Sequence, residues 1–178
     1  MMKKISMSAQ TIALICIFTF WLGRLLIGCD KGSEIPQTRL QLGDSAPDFA
    51  AKDLDGNVTV LSNLQKGPVI LRFFETNCRF CKADTPVFNA FLQKYQDKGL
   101  TVLYIGSFYE NDSSLRAFSG ELATAFPVIA DNSAKLADLY GIRAYPQTLF
   151  LSPDHKILAA ILGGVGEAEM TEILGKYL

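Results

Sequence analysis

The chain has 178 residues and a formal net charge of −1. That length allows one ordinary domain plus a short appendage. No basic stripe points to nucleic acid and no acidic tract points to disorder. Nearly half of the residues are hydrophobic, but the excess lies at the N-terminus, and the remainder has ordinary globular composition.

Residues 1–29 read as a targeting segment. Lys3 and Lys4 give a positive start, and residues 11–22 are almost wholly apolar. Leu26-Ile27-Gly28-Cys29 follows. This resembles the lipobox of bacterial lipoproteins, which implies a diacylglycerol thioether on Cys29. Two acyl chains make a firm anchor where one is marginal. Arg24 interrupts the apolar run, so the alternative is an uncleaved signal anchor over residues 11–27. Both place the following domain outside the cytoplasm, because the positive end stays in. Asp30 after the cysteine resembles the signal by which such lipoproteins stay in the inner membrane. Residues 30–42 are mostly polar, with Gly32, Ser33 and Pro36, and read as a tether.

The folded part is expected over residues 43–178. Residues 44–49 read as an extended lead-in, with Phe49 turning inward. Asp55-Gly56 signals a hairpin turn, followed by an alternating strand over residues 57–61. Residues 69–74 are apolar except for Arg72, which predicts a central strand. Val87, Phe88, Phe91, Leu92 and Tyr95 recur at helical spacing up to Gly99, with Pro86 inside as a source of a kink. Residues 100–105 predict a second strand, 113–122 a helix, 126–130 a short strand, and 133–140 a short helix stopped by Gly141. Residues 147–151 and 156–162 predict a hairpin across Ser152-Pro153-Asp154-His155. Gly163, Gly164 and Gly166 are expected to loosen the chain before a last helix over 167–177. This order predicts an α/β sandwich with parallel and antiparallel pairs in one sheet.

Of the four cysteines, Cys16 and Cys29 fall in the N-terminal segment. That leaves Cys78 and Cys81, spaced by Arg79 and Phe80, at a strand-to-helix junction. One pair is not a disulfide framework. A structural zinc site needs more ligands, and the single histidine, His155, is expected in a surface turn. A disulfide exchanger needs a reachable thiolate and a second thiol to resolve the mixed disulfide. Helix N-terminal N–H groups and the dipole favour negative charge on Cys78, the exposed nucleophile. Cys81, one turn in, is shielded and resolves. An inert structural disulfide, a metal half-site shared between two chains and two unrelated buried thiols are the competing readings.

Several segments together resemble the membrane-anchored thioredoxin-like proteins of the TlpA/ResA type. They are Ala46-Pro47-Asp48-Phe49, Asp53-Leu54-Asp55-Gly56, the strand over 69–74, Cys78 to Cys81 with Pro86, Asp138-Leu139-Tyr140-Gly141-Ile142, and Tyr145-Pro146-Gln147-Thr148. The resemblance covers about residues 43–178. It implies a thioredoxin-like three-layer sandwich with a mixed central sheet, an N-terminal β-hairpin extension and a central helical insert. It further implies thiol-disulfide exchange with no cofactor or metal beyond the Cys78–Cys81 disulfide. Partners would be protein disulfides such as those of apocytochromes c during maturation. Electrons would come from a membrane donor of the DsbD/CcdA type. Tyr145-Pro146 matches the family's cis-proline, where the Tyr145 main chain can pair with an extended substrate. Asp84, three residues after Cys81, matches an acidic position of the ResA-like branch that could relay the Cys81 proton; a solvated first-turn Asp is the alternative.

The chain also departs from the family. Asn77 stands where Trp is usual and Phe80 where Pro is usual. Phe80 widens the apolar surround, and Arg79 brings positive charge that favours thiolate. A stabilised thiolate makes the disulfide a stronger oxidant, so the expected potential lies above the value of about −270 mV for thioredoxin. Arg72 occupies the position where thioredoxins carry a buried acid. It is either a cation beneath the disulfide, paired with Glu75, Asp84 or Asp53, or a long side chain snorkelling to the sheet edge, which is the favoured expectation. Glu75 joins Arg72 as a candidate for tuning the thiols. Two other functions compete with disulfide exchange. A peroxiredoxin-like peroxidase needs a Thr and Pro spacing that Thr76 and Pro68 do not supply. A thiol metallochaperone lacks its usual cysteine spacing and histidine. The loops near Asn111 and Gly163 are candidate docking surfaces.

Overall fold

The computed structural model describes residues 40–64 and 66–178. The targeting segment, Arg24, the lipid candidate Cys29 and most of the expected tether lie outside the described residues. Among the described residues, no helix is long and apolar enough to cross a membrane.

The core is a five-stranded mixed sheet in the order β5-β4-β3-β6-β7. Its strands are β3 (Val69–Phe74), β4 (Thr101–Gly106), β5 (Val128–Ala130), β6 (Gln147–Leu151) and β7 (Ile157–Leu162). Strands β3, β4 and β5 run parallel, while β6 pairs antiparallel with both β3 and β7. A separate hairpin, β1 (Ala50–Lys52) with β2 (Val58–Val60), turns at Gly56, whose φ is +86°. That conformation is open to glycine at no steric cost.

Strand β3 is buried at every position, as a central strand covered on both faces should be. Side chains alternate between the faces. Ile70 and Phe74 join the core under helices α1 (Arg79–Tyr95), α2 (Asp112–Leu122) and α4 (Glu167–Leu174). Val69, Leu71 and Phe73 join a second core with Phe49 and helix α3 (Lys135–Leu139). These are the three layers expected. Arg72 shares its parity with Ile70 and Phe74, so it projects toward the α1 face.

Residues 43–54 form a strap. Gly43 N–H donates to the Ile157 carbonyl, Ser45 bridges Lys156 at the β7 edge, and Asp53 bridges Ile129 at the β5 edge. Phe49 enters the core between these points. At the far end of β3, Gly67 and Gly99 bring two backbones together. A Cβ on Gly67 would fall 2.6 Å from the Gly99 carbonyl carbon.

Several element ends differ from expectation for local reasons. The first helix closes at Tyr95 with Pro86 inside it, and residues 96–98 tighten into a 3-10 turn before Gly99. Helix α3 begins at Lys135, because Asp131 accepts from the Leu136 and Ala137 N–H groups and defines the first turn. Asn111 and Ser114 form a reciprocal capping box that starts α2 at Asp112. The last helix closes at Leu174 and continues as a 3-10 turn over residues 175–177. His155 adopts φ +59° in the β6–β7 turn as expected, yet it is half-buried, with Nε2 2.9 Å from the Leu64 carbonyl oxygen.

Candidate active site

Strand β3 delivers the chain to the cysteine pair. Cys78 is the N-cap of α1, and its sulfur accepts from the Cys81 N–H at 3.4 Å. Helix N-termini leave N–H groups without carbonyl partners, so a sulfur there gains both a donor and the favourable end of the dipole. Cys78 is half-buried and Cys81 fully buried, and both are free thiols. Burial foremost, then the hydrogen bond with the Cys78 sulfur, pushes the Cys81 thiol up from 9.0 to about 12. A backbone hydrogen bond from Glu75 and then the Arg72 charge act the other way. Thr85 Oγ1 donates to the Cys81 carbonyl at 2.7 Å and lies 3.4 Å from the Tyr104 hydroxyl. Burial pushes the Tyr104 phenol well above its ordinary range.

Arg72 corrects the snorkelling expectation. It is 0% exposed, and its Nη2 meets Asp84 Oδ2 at 2.7 Å. Nη1 donates to Thr148 Oγ1 at 2.6 Å and to the Gly163 carbonyl at 3.0 Å. Its guanidinium carbon lies 5.3 Å from the centre of the Phe88 ring. Nε alone has no partner. The physical reason is positional: a charge on the α1 face of a central strand has no sheet edge within reach and must pair where it stands. Asp84 supplies that partner, so the solvated-Asp alternative fails as well; its side chain is 13% exposed. Asp84 Oδ2 also accepts from the Val165 N–H at 2.9 Å. Asp53 instead holds its own turn through Asp55 and Asn57, and Glu75 gives its carbonyl to the Cys78 N–H at 3.2 Å.

The other expected site residues assemble around the pair. Tyr145-Pro146 is a cis peptide. Because β6 runs antiparallel to β3, its first residue, Gln147, pairs with Phe73 at the end of β3 that leads to Cys78. Tyr145 lies within electrostatic reach of Glu75 and Tyr109. Phe80 is exposed and packs under the Arg79 guanidinium at 4.8 Å. Gly164 faces Phe80 and Asp84, with room for a Cβ 3.5 Å from the Phe80 ring. The glycine loop is therefore pinned to the site at Gly163 and Val165 rather than loosened. Among the described residues, no group of three or more His, Cys, Asp or Glu side chains is placed to hold a metal ion.

Two contributors were not evident from sequence. Glu110, after β4, accepts from the Thr76 N–H at 2.8 Å and from Thr76 Oγ1 at 3.0 Å, fixing the segment before Cys78. Thr148 completes the Arg72 shell. Neither carries a local signal; only the need of Arg72 for partners, read with the topology, points to Thr148.

Fold and site together define a class: a thiol-disulfide oxidoreductase of the thioredoxin superfamily, with the pair at the N-terminus of α1. The chain belongs to the AhpC/TSA family, whose profile matches residues 42–160. It is 28% identical over 146 residues to the thiol-disulfide oxidoreductase ResA of Bacillus anthracis, covering 82% of this chain and 84% of that one. ResA of Oceanobacillus iheyensis is 31% identical over 129 residues, covering 70% of this chain and 67% of that one. Among solved structures, a protein of Chlorobium tepidum described as a DsbE-type thiol:disulfide interchange protein superposes with a TM-score of 0.71. It is 27% identical, and the match covers 78% of this chain and 99% of that one.

Proposed function

We propose that this protein reduces disulfides of partner proteins outside the cytoplasm through Cys78 and Cys81, held at a membrane by its N-terminal segment and using no further cofactor. One arrangement carries the reading: a half-buried cysteine caps a helix, and a wholly buried cysteine follows one turn in. The ResA and DsbE-type relatives support the same chemistry. The basic, apolar and Leu-Ile-Gly-Cys features of residues 1–29 support the location.

The steps are those of thiol-disulfide exchange. The Cys78 thiolate attacks one sulfur of a substrate disulfide; that S–S bond breaks, and the other substrate sulfur leaves as a thiolate and takes a proton. Cys81 then loses its proton and attacks the mixed disulfide. The Cys78–Cys81 bond forms, the second substrate thiol departs, and two electrons have passed to the substrate. The second step is the harder one for this site, because Cys81 is so reluctant to ionise. Arg72 is the cation that favours its thiolate. Asp84 holds Arg72 in place, and its carboxylate, three residues after Cys81 on α1, is the group that would accept the Cys81 proton. The Tyr145 main chain would align an extended substrate. A membrane dithiol donor of the DsbD/CcdA type would restore the dithiol, and the haem-binding cysteines of apocytochromes c fit as substrates.

The deciding measurement is the reduction potential of the full chain in glutathione or dithiothreitol buffers, with Cys78→Ser and Cys81→Ser as controls. A reversible two-electron couple between about −270 and −200 mV is expected of this reductant. A clearly higher value would make the protein an oxidant or isomerase. Without a reversible couple the pair is structural. Hydrogen peroxide consumption as fast as disulfide exchange would indicate a peroxidase instead.

A further inference from the structure

Among the described residues, the exposed aromatic side chains are Phe80, Phe108 and Tyr109. All three belong to segments that meet at the cysteine pair. Phe80 lies between the two cysteines. Phe108 and Tyr109 form the tip of a turn closed by the Glu110 N–H on the Ser107 carbonyl at 3.0 Å. The turn is bonded on both sides to the segment that leads to Cys78. Ser107 N–H donates to the Phe74 carbonyl at 2.9 Å, and Glu110 holds Thr76. Ser114 Oγ donates to the same carboxylate at 2.7 Å. The two rings lie 3.9 Å apart, 43% and 74% exposed.

Turn tips ordinarily carry small polar residues. Single exposed apolar side chains are common and signify nothing. Here two large rings sit side by side on a turn held against the reactive segment, where neither completes a core. A platform ordered in advance loses little freedom when a partner settles on it. Resting on the disulfide-exchange reading above, we propose that Phe108 and Tyr109 are specificity-determining residues of the reaction. They receive an extended substrate segment whose cystine is flanked by large apolar or aromatic side chains. Small charged disulfides such as oxidised glutathione present no such surface. A folded protein rarely presents one beside a disulfide, whereas an unfolded segment does. Phe80, between the two cysteines in sequence and also exposed, adds a third apolar side chain to the segments at the pair.

The test uses the reduced full chain and two peptides of equal length, each closed by one disulfide. One carries Phe and Leu beside its cysteines, the other Ser and Gly. The expected kcat/KM favours the apolar peptide by roughly tenfold, the scale of one or two aromatic contacts. Phe108→Ser with Tyr109→Ser brings that ratio close to one, while Tyr109→Phe keeps it, because the ring is retained. A damaged fold would slow both peptides together and leave the ratio standing; that result overturns the proposal, as does a wild type without preference. A wild type that exchanges with neither peptide nor oxidised glutathione overturns the oxidoreductase reading itself, and the preference with it.

Discussion

Arg72 and Asp84 are joined by a 2.7 Å ion pair beneath α1, twelve residues apart in sequence, with the guanidinium fully buried. Asp84 stands three residues after Cys81 on the same helix, and Arg72 six residues before Cys78 on the strand below. The pair therefore ties the strand to the helix directly under the redox centre.

Breaking that tie from one side is expected to be costly. Arg72→Met leaves Asp84 beside an apolar side chain and removes the hydrogen bonds that Nη1 donates to Thr148 Oγ1 and the Gly163 carbonyl. The expected loss is about 3 kcal/mol in urea unfolding of the reduced protein. Arg72→Met with Asp84→Leu should recover much of it, since neither charge is then left unpaired. Equal losses in the single and double variants would show that the ion pair is incidental.

Removing the Arg72 charge should also make Cys81 harder to ionise, because that charge opposes the effect of burial. In a variant where Lys replaces Arg72, a positive charge remains but the bonds to Thr148 and Gly163 cannot all be kept. Thiolate absorbance followed with pH should rank the Cys81 titration wild type, then Lys, then Met, from lowest to highest. Resolution of a mixed disulfide should slow in the same order.

The reduced protein should lose stability in alkali through Cys81. Its thiol titrates near 9.0 in an unstructured chain and near 12 in the fold. Below about pH 9 both states hold the proton and the contribution is complete. Between 9 and 12 the unfolded chain releases the proton while the fold retains it, so unfolding gains; above 12 the contribution is gone. Urea midpoints across this window should fall more steeply for the wild type than for Cys81→Ser. Parallel curves would contradict the assignment.

Glu110→Ala should destabilise the protein by about 1–2 kcal/mol, because the Thr76 N–H loses its acceptor in a half-buried place. Glu110→Gln should cost less, since an amide oxygen still accepts. Amide exchange at Thr76 is the direct readout, faster in Ala than in Gln.

Gly99→Ala should be among the most damaging single-methyl changes. A Cβ there falls 2.6 Å from the Lys66 backbone, at φ +84°. A loss of 2 kcal/mol or more is expected, roughly the combined cost of a left-handed alanine and a backbone shift. Thermal unfolding compared with Gly120→Ala, where nothing lies within 4 Å, isolates the effect.

Much of this molecule was legible from local pattern. Strand β3 announced itself as an apolar run, the Asp55-Gly56 turn as a hairpin signal, and Cys78 with Cys81 by spacing at a strand-to-helix junction. The apolar run marked β3 as a central strand with Arg72 in it, but that a helix covers each face and that Asp84 of α1 stands beside Arg72 depend on the whole topology. For that reason the snorkelling expectation failed. The starts of α2 and α3 were set by side chains outside the helices, Asn111 and Asp131, which shift an end by a residue or two without disturbing periodicity. Glu110 and Thr148 act across 34 and 76 residues on Thr76 and Arg72, distances over which sequence pattern carries no information. The glycines at 163, 164 and 166 read as looseness, whereas the loop is fixed by its main chain to Arg72 and Asp84.

The strap over residues 43–54 has a consequence for how this chain folds. Its partners, Ile129 and residues 155–157, lie far along the sequence. A chain made from its N-terminus must hold the start of the strap, Gly43 to Ala46, without a place to dock until the final hairpin has formed. Contacts of such long sequence separation are slow to make. The domain should therefore close late and all at once, and truncations that remove the β6–β7 hairpin should leave the first residues of the fold unprotected against proteases.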